Sequence, residues 1–294
     1  MSISLDVVAP ARCGSVNVAT ARRMAWSEWG PNAGVPVLFS PGAATSSSLG
    51  FAASALERLR VRLIAIDRPG LGESDAARER TLADDAHDVA ALVSALSLDQ
   101  PAIVGFSQGA PLALACAAAG SVSAVAFVSG TDELAAPSIR SALPPEIQQH
   151  IALAHTDPLS LEAMFRGMNA AMMISMIDAS PAVDLAVYKE PTFVAAFASA
   201  VNEGLARGSD GLARDARLAM SPWPFDPSAI GVPVHLWYGS VDTSPFHSPD
   251  HGASLARRIP NAARTVIEGS GGAVLWTHGA EILGALLEAR RRSL

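Results

Sequence analysis

Ala102-Ile103-Val104-Gly105-Phe106-Ser107-Gln108-Gly109-Ala110 joins a short apolar run to a stretch of small residues through a Gly-x-Ser-x-Gly turn. The apolar run has the length and β-branched content of a buried strand, and the small residues after it read as a packed helix. A serine between the end of a strand and the start of a helix needs strained backbone, and flanking glycines remove side chains that would collide with both elements. The spacing therefore predicts Ser107 as a nucleophile on a sharp strand-to-helix turn. The plainer alternative is a loop serine without chemistry.

Around this turn, no charged residue occurs from Gln100 to Thr131, between Asp99 and Asp132. That run is long enough to span a bilayer, but Ser107, Gln108, Gly109 and Gly120 interrupt it, and strand, turn, buried helix and next strand account for it better. The whole chain of 294 residues is 50 % hydrophobic and only 17 % charged, against about 25 % charged in ordinary soluble chains. Such a composition implies a large, dry core. The net charge of −7 has the wrong sign for phosphate neutralisation, and Arg290 to Arg292 suit the end of a terminal helix, so no nucleic-acid partner is expected. The start, Met1-Ser2-Ile3-Ser4-Leu5-Asp6, lacks a secretory pattern and is followed by Pro10 and Arg12, which points to the cytoplasm and to no membrane partner. Cys13 and Cys116 have no metal-ligand spacing, and neither a disulfide nor a metal is assigned.

Further apolar runs at Val35 to Phe39, Val61 to Ile66, Ala124 to Val128, Val232 to Tyr238 and Arg264 to Ile267 read as strands. Between them lie helical patterns. The clearest has Leu82, Ala86, Val89, Val93 and Leu96 on one face behind a Thr81-x-x-Asp84 capping signal, and a last helix carries Ile282, Leu283, Leu286 and Leu287. The alternation predicts an α/β protein with a doubly wound, mostly parallel sheet. From Asp132 to about Ile230 the pattern is helical before the strands resume. This predicts a core of residues 1–130 and 231–294, with a helical cap at 131–230 inserted after the sixth strand, over the sheet ends where ligands bind. Within the insertion Met164, Met168, Met172 and Met176 recur at i+4 spacing beside Phe165, Met173 and Ile177. They read as one apolar helix face, packed on its neighbours or, through Met168, Met172 and Met176, lining a substrate pocket.

With the serine turn, the segments Arg23 to Gly30 and Asp67-Arg68-Pro69-Gly70-Leu71-Gly72-Glu73-Ser74-Asp75 make the chain similar to the α/β-hydrolase superfamily, in the manner of serine esterases, cofactor-free haloperoxidases and proline iminopeptidase-like enzymes. The resemblance implies the α/β-hydrolase fold and no cofactor. It disfavours dehalogenase and epoxide-hydrolase chemistry, which would place an Asp at the elbow. It implies an oxyanion hole from the backbone N–H groups of Gln108 and of Ala43, the latter in Phe39-Ser40-Pro41-Gly42-Ala43-Ala44, where Pro41 stands in place of the usual His. It implies Asp242, in Leu236-Trp237-Tyr238-Gly239-Ser240-Val241-Asp242, as the acid, with Asp132 as a fallback.

The same resemblance places the general base after the last strand, where this chain reads Glu268-Gly269-Ser270-Gly271-Gly272-Ala273. Gly272 occupies the expected histidine position. A serine without a base is a poor nucleophile at neutral pH. His87, His150, His155 and His235 read as structural, and His278, His247 and His251 are the substitutes that follow Asp242, none singled out by spacing. The base is degenerate or unidentified at this level. Two functions remain open: a hydrolase of a small apolar ester or acyl compound, and a non-catalytic small-molecule-binding protein on the same scaffold, with a base-deleted variant of an active esterase as a third account of Gly272. Substrate identity and oligomeric state are not legible.

Overall fold

The computed structural model describes residues 5–18 and 21–293; the reading of the start of the chain at Met1 to Ser4 lies outside them. Eight strands, β1 (Arg12–Asn17), β2 (Arg23–Trp29), β3 (Val35–Ser40), β4 (Val61–Ile66), β5 (Ala102–Phe106), β6 (Val125–Val128), β7 (Val234–Gly239) and β8 (Ala262–Ile267), form one sheet in the order β1-β2-β4-β3-β5-β6-β7-β8. Pairing is antiparallel from β1 to β2 and from β2 to β4, and parallel elsewhere. The central strands β3 to β6 are almost wholly buried, as expected of parallel strands covered on both faces. β1, which the apolar runs did not reveal, is an edge strand whose half-buried and exposed residues alternate.

Helices α1 (Ala53–Leu59), α2 (Leu82–Ala95) and α3 (Ala110–Ala118) lie between the early strands. The segment between β6 and β7 carries α4 (Pro137–Arg140), α5 (Pro145–Thr156), α6 (Pro158–Arg166), α7 (Ala170–Ser175), α8 (Ala182–Tyr188), α9 (Pro191–Gly204) and α10 (Asp210–Ala219). The chain closes with α11 (Ala253–Arg258), α12 (Val274–Thr277) and α13 (Gly279–Ser293). One core packs α2, α3 and α11 on one face of the sheet; the other packs α1, α12 and α13 on the opposite face. Thr81 and Asp84 form the reciprocal capping box that starts α2.

The charge-free run resolves into β5, the serine turn, α3 and β6, and no helix among the described residues is long and apolar enough to cross a membrane. Cys116 is buried inside α3, which pushes its thiol up, while Cys13 is exposed. Sheet register decides which loops meet. Ser40 pairs with Gly105, so the Pro41-Gly42-Ala43 loop leaves β3 beside the serine turn. Val128 pairs with Trp237 and Gly239 with Ile267, so the loops after β6, β7 and β8 emerge side by side at the carboxyl end of the sheet, where open α/β sheets bind ligands.

Candidate active site

Ser107 follows the last residue of β5 with a φ of 50°, a left-handed conformation that costs a non-glycine residue free energy and persists only where packing enforces it. Packing is tight here. A Cβ on Gly105 would stand 2.6 Å from the Ala110 Cα, and one on Gly109 would overlap the carbonyl oxygens of Ser40 and Pro41. The two glycines thus let the β3 loop and α3 close on the serine from opposite sides.

Ser107 Oγ lies 2.9 Å from His247 Nε2, and His247 Nδ1 lies 2.6 Å from Asp242 Oδ2. A carboxylate only accepts, so Nδ1 carries a proton, and in the neutral imidazole Nε2 then presents a lone pair to the serine hydroxyl. Burial raises the Asp242 carboxyl, but the neighbouring His247, the Ser244 N–H and His251 outweigh it and hold the group below the usual carboxylate range. The loop after β7 places both side chains by local turns. Asp242 N–H donates to Gly239 O, Ser244 N–H donates to Asp242 Oδ1 at 3.0 Å, and His247 N–H donates back to Ser244 O. These turns reverse the chain so that His247, separated from Asp242 by five positions, faces the carboxylate and the serine together.

Of the three substitute histidines, only His247 meets Ser107. His278 bonds through Nδ1 to Thr277 Oγ1, and the His251 ring packs against Tyr238. Where the sequence left the base degenerate or unidentified, an imidazole from the loop after β7 lies at hydrogen-bond distance from the serine, while Gly272 of the loop after β8 brings no side chain to it. Asp132 is brought elsewhere as well. It accepts from Ser248 Oγ at 2.9 Å and from Glu133 N–H, while Ser248 N–H donates to Gly130 O. It braces the residue after His247 and makes no bond to the imidazole. The signal that could have singled out His247 is the Asp242-x-Ser244 turn, a local arrangement that folds the following residues back.

Gly272 lies beside Asp242, and a Cβ built there would be 3.1 Å from Asp242 Oδ1. Asp184 of α8 accepts from the Gly272 and Ala273 N–H groups at 2.8 and 3.0 Å. Burial pushes this carboxyl up, and the two N–H bonds offset part of the effect. The loop that the resemblance implied would carry the base instead anchors a helix of the insertion.

Above Ser107 opens a cavity of about 410 Å³, within the usual range for small-molecule sites. Ala43 and Gln108 line it next to the serine, and among the described residues the Ala43 N–H has no partner. Phe165, Met168, Met173, Met176, Phe197, Leu212, Met220, Phe246 and Trp276 supply much of its wall. Of the three methionines expected to line a pocket, Met168 and Met176 lie on the cavity wall and Met172 does not, and the single helix face expected for the series is broken. α6 ends at Arg166 and Asn169 caps a new helix, accepting from Met172 N–H, so the i+4 series is cut and rotated. Met172 turns outward, 46 % exposed, and Met173 at 9 % takes the inward place. Met173→Ala is expected to cost about 2–4 kcal/mol in urea unfolding and Met172→Ala less than about 0.5 kcal/mol. Equal losses would contradict this packing.

A family model described as "alpha/beta hydrolase fold" matches residues 35–279. The chain belongs to the α/β-hydrolase fold family. No curated protein matches it. Among solved structures it is similar to a bromoperoxidase from Bacillus anthracis (20 % identity, TM-score 0.67, covering 95 % of this chain and 100 % of that one). It is also similar to an enol-lactonase from Burkholderia xenovorans LB400 (18 %, 0.67, 94 % and 99 %) and an esterase from Exiguobacterium antarcticum (16 %, 0.64, 94 % and 98 %). At these identities the likeness shows the shared fold.

Proposed function

We propose that the chain is a serine hydrolase of small apolar esters or related acyl compounds. The observation that carries this reading is the chain of contacts from Ser107 Oγ through His247 to Asp242, at 2.9 and 2.6 Å. In it His247 Nε2 takes the serine proton as Oγ attacks the acyl carbonyl, Asp242 holds the tautomer and stabilises the imidazolium, and the same proton passes to the leaving group. The N–H groups of Ala43 and Gln108 receive the developing oxyanion, each worth ~3 kcal/mol. Water then hydrolyses the acyl-enzyme with His247 again as base.

The helices of residues 131–230 serve as a cap whose apolar side chains select the acyl group. The charged side chains on the cavity wall among the described residues are the carboxylates of Asp184 and Asp242, with no Lys or Arg, which favours uncharged over anionic substrates. In this reading the protein acts in the cytoplasm on a small molecule, with no cofactor, metal, nucleic acid or membrane. The rival, a non-catalytic binding protein or a base-deleted esterase, drew on Gly272 and, for the binding protein, on the methionines of the cap; the imidazole at hydrogen-bond distance from Ser107 weighs against the first of these grounds.

Incubation with a fluorophosphonate is expected to add one phosphonyl group to the intact mass, mapping to Ser107 in the peptide digest and absent in Ser107→Ala. No adduct after long exposure at alkaline pH would overturn the reading.

A further inference from the structure

The Asp67 to Asp75 loop after β4 supplies no group to the proposed reaction, yet it buries an arginine against the oxyanion loop. Arg68 is 3 % exposed. Its Nη2 donates to Gly42 O at 3.0 Å, its Nη1 to Pro41 O, and its Nε to Asp215 Oδ2 at 2.8 Å. Asp215 lies on α10, in the insertion. Its other oxygen accepts from Arg80, which also bonds Asp85 of α2, so four buried charges of alternating sign run from the oxyanion loop to the first turn of α2. Burial raises the Asp215 carboxyl, but the two guanidiniums outweigh it and hold it below the usual range.

The carbonyl of Gly42 and the N–H of Ala43 belong to one planar trans peptide unit, so they point in opposite directions. Fixing the first aims the second. Arg68 Nη2 and Thr45 Oγ1 both donate to Gly42 O, at 3.0 and 2.9 Å, and donors on that oxygen also polarise the N–H across the same amide. A planar guanidinium with its fork of donors can hold two successive carbonyls and a carboxylate at once, which an ammonium cannot. The backbones of this loop and α10 approach so closely that a Cβ on Gly70 would stand 2.9 Å from the Gly211 Cα. Leu212, Ala216 and Ala219 of the same helix line the cavity.

We propose that Arg68, anchored by Asp215, is a positioning residue that aims the Ala43 N–H at the substrate oxyanion and ties the oxyanion hole to the helix that contacts the acyl group. The proposal rests on the serine-hydrolase reading above. A merely structural ion pair would lower stability and leave the chemistry of each folded molecule alone. Arg68→Lys, made in the full chain and assayed on 4-nitrophenyl butyrate per fluorophosphonate-titrated Ser107, is expected to lower kcat about 10- to 100-fold with KM within about 2-fold, since an oxyanion donor is displaced rather than removed. Affinity for an alkylboronic acid, which bonds Ser107 Oγ and places a negative oxygen in the hole, falls by the same factor. Affinity for an uncharged amide analogue does not change. Asp215→Asn, which leaves Arg68 in place with a weaker anchor, moves in the same direction by a smaller factor. An active parent with unaltered kcat and boronate affinity in both variants would overturn the role of Arg68 alone, whatever happens to Tm. A parent with neither turnover nor adduct would overturn the hydrolase reading and this proposal together.

Discussion

His247→Ala is expected to lower kcat on an activated ester by about 10⁵- to 10⁶-fold, the scale on which serine hydrolases lose turnover when their base is removed. The expectation follows from one contact. His247 Nε2 is 2.9 Å from Ser107 Oγ, and no other imidazole among the described residues is bonded to that oxygen. His278→Ala, whose ring bonds Thr277, is expected to stay within about 2-fold of the parent. Gly272→His in the parent is expected to bring no gain. Asp242 Oδ2 is engaged by His247 and Oδ1 by the Ser244 N–H, and the new Cβ would already press on Oδ1 at 3.1 Å. Steady-state kinetics on the three variants check this. If Gly272→His raised turnover by orders of magnitude, the parent would lack a working base and the assignment of His247 would fail.

Ser107 and Asp242 were legible as candidates because each follows closely on a buried strand, where an apolar run fixes position and register leaves little choice. β5 ends at Phe106 and β7 at Gly239, within a residue of the run ends read from hydrophobicity. The approach of His247 to Ser107 was not legible because it depends on turns within the loop after β7 and on a bond across the molecule, Ser248 N–H to Gly130 O. Neither leaves a periodic trace in the sequence. The methionine series misled for a related reason. A helical period describes a face only while one helix continues, and the Asn169 cap, which competes with helix continuation through its side-chain bond to Met172 N–H, starts a second helix at a new angle. The Asp67 to Asp75 segment was legible as a family loop. That its arginine reaches Pro41 and Gly42 required the fold, since β4 and β3 are neighbours in the sheet although α1 separates them in the chain.

Asp242→Asn is expected to lower kcat by about 10⁴-fold while leaving the protein folded, the cost of holding a triad imidazole in the wrong tautomer. The asparagine has two ways to sit, and both fail. If its NH₂ faces His247 Nδ1, the imidazole must accept there, its proton moves to Nε2, and the nitrogen beside Ser107 can no longer take the serine proton. If its oxygen faces Nδ1, its NH₂ meets the Ser244 N–H, donor against donor, and the turn that carries His247 opens. Asp132→Asn separates the two acids that the sequence left in contention. Asp132 accepts from Ser248 Oγ and Glu133 N–H and, among the described residues, makes no hydrogen bond to an imidazole, so its loss is expected to act on stability, with kcat changed less than about 10-fold. The pH dependence of Tm gives a second readout. The native Asp242 carboxyl is held below its ordinary value by His247 despite burial, so its contribution to stability is present above the unfolded pKa and is lost as pH falls through the native one. Asp242→Asn removes this contribution and flattens the acid side of the Tm profile, whereas equal kcat losses in the two variants, or an unaltered acid limb in Asp242→Asn, would remove Asp242 from the triad.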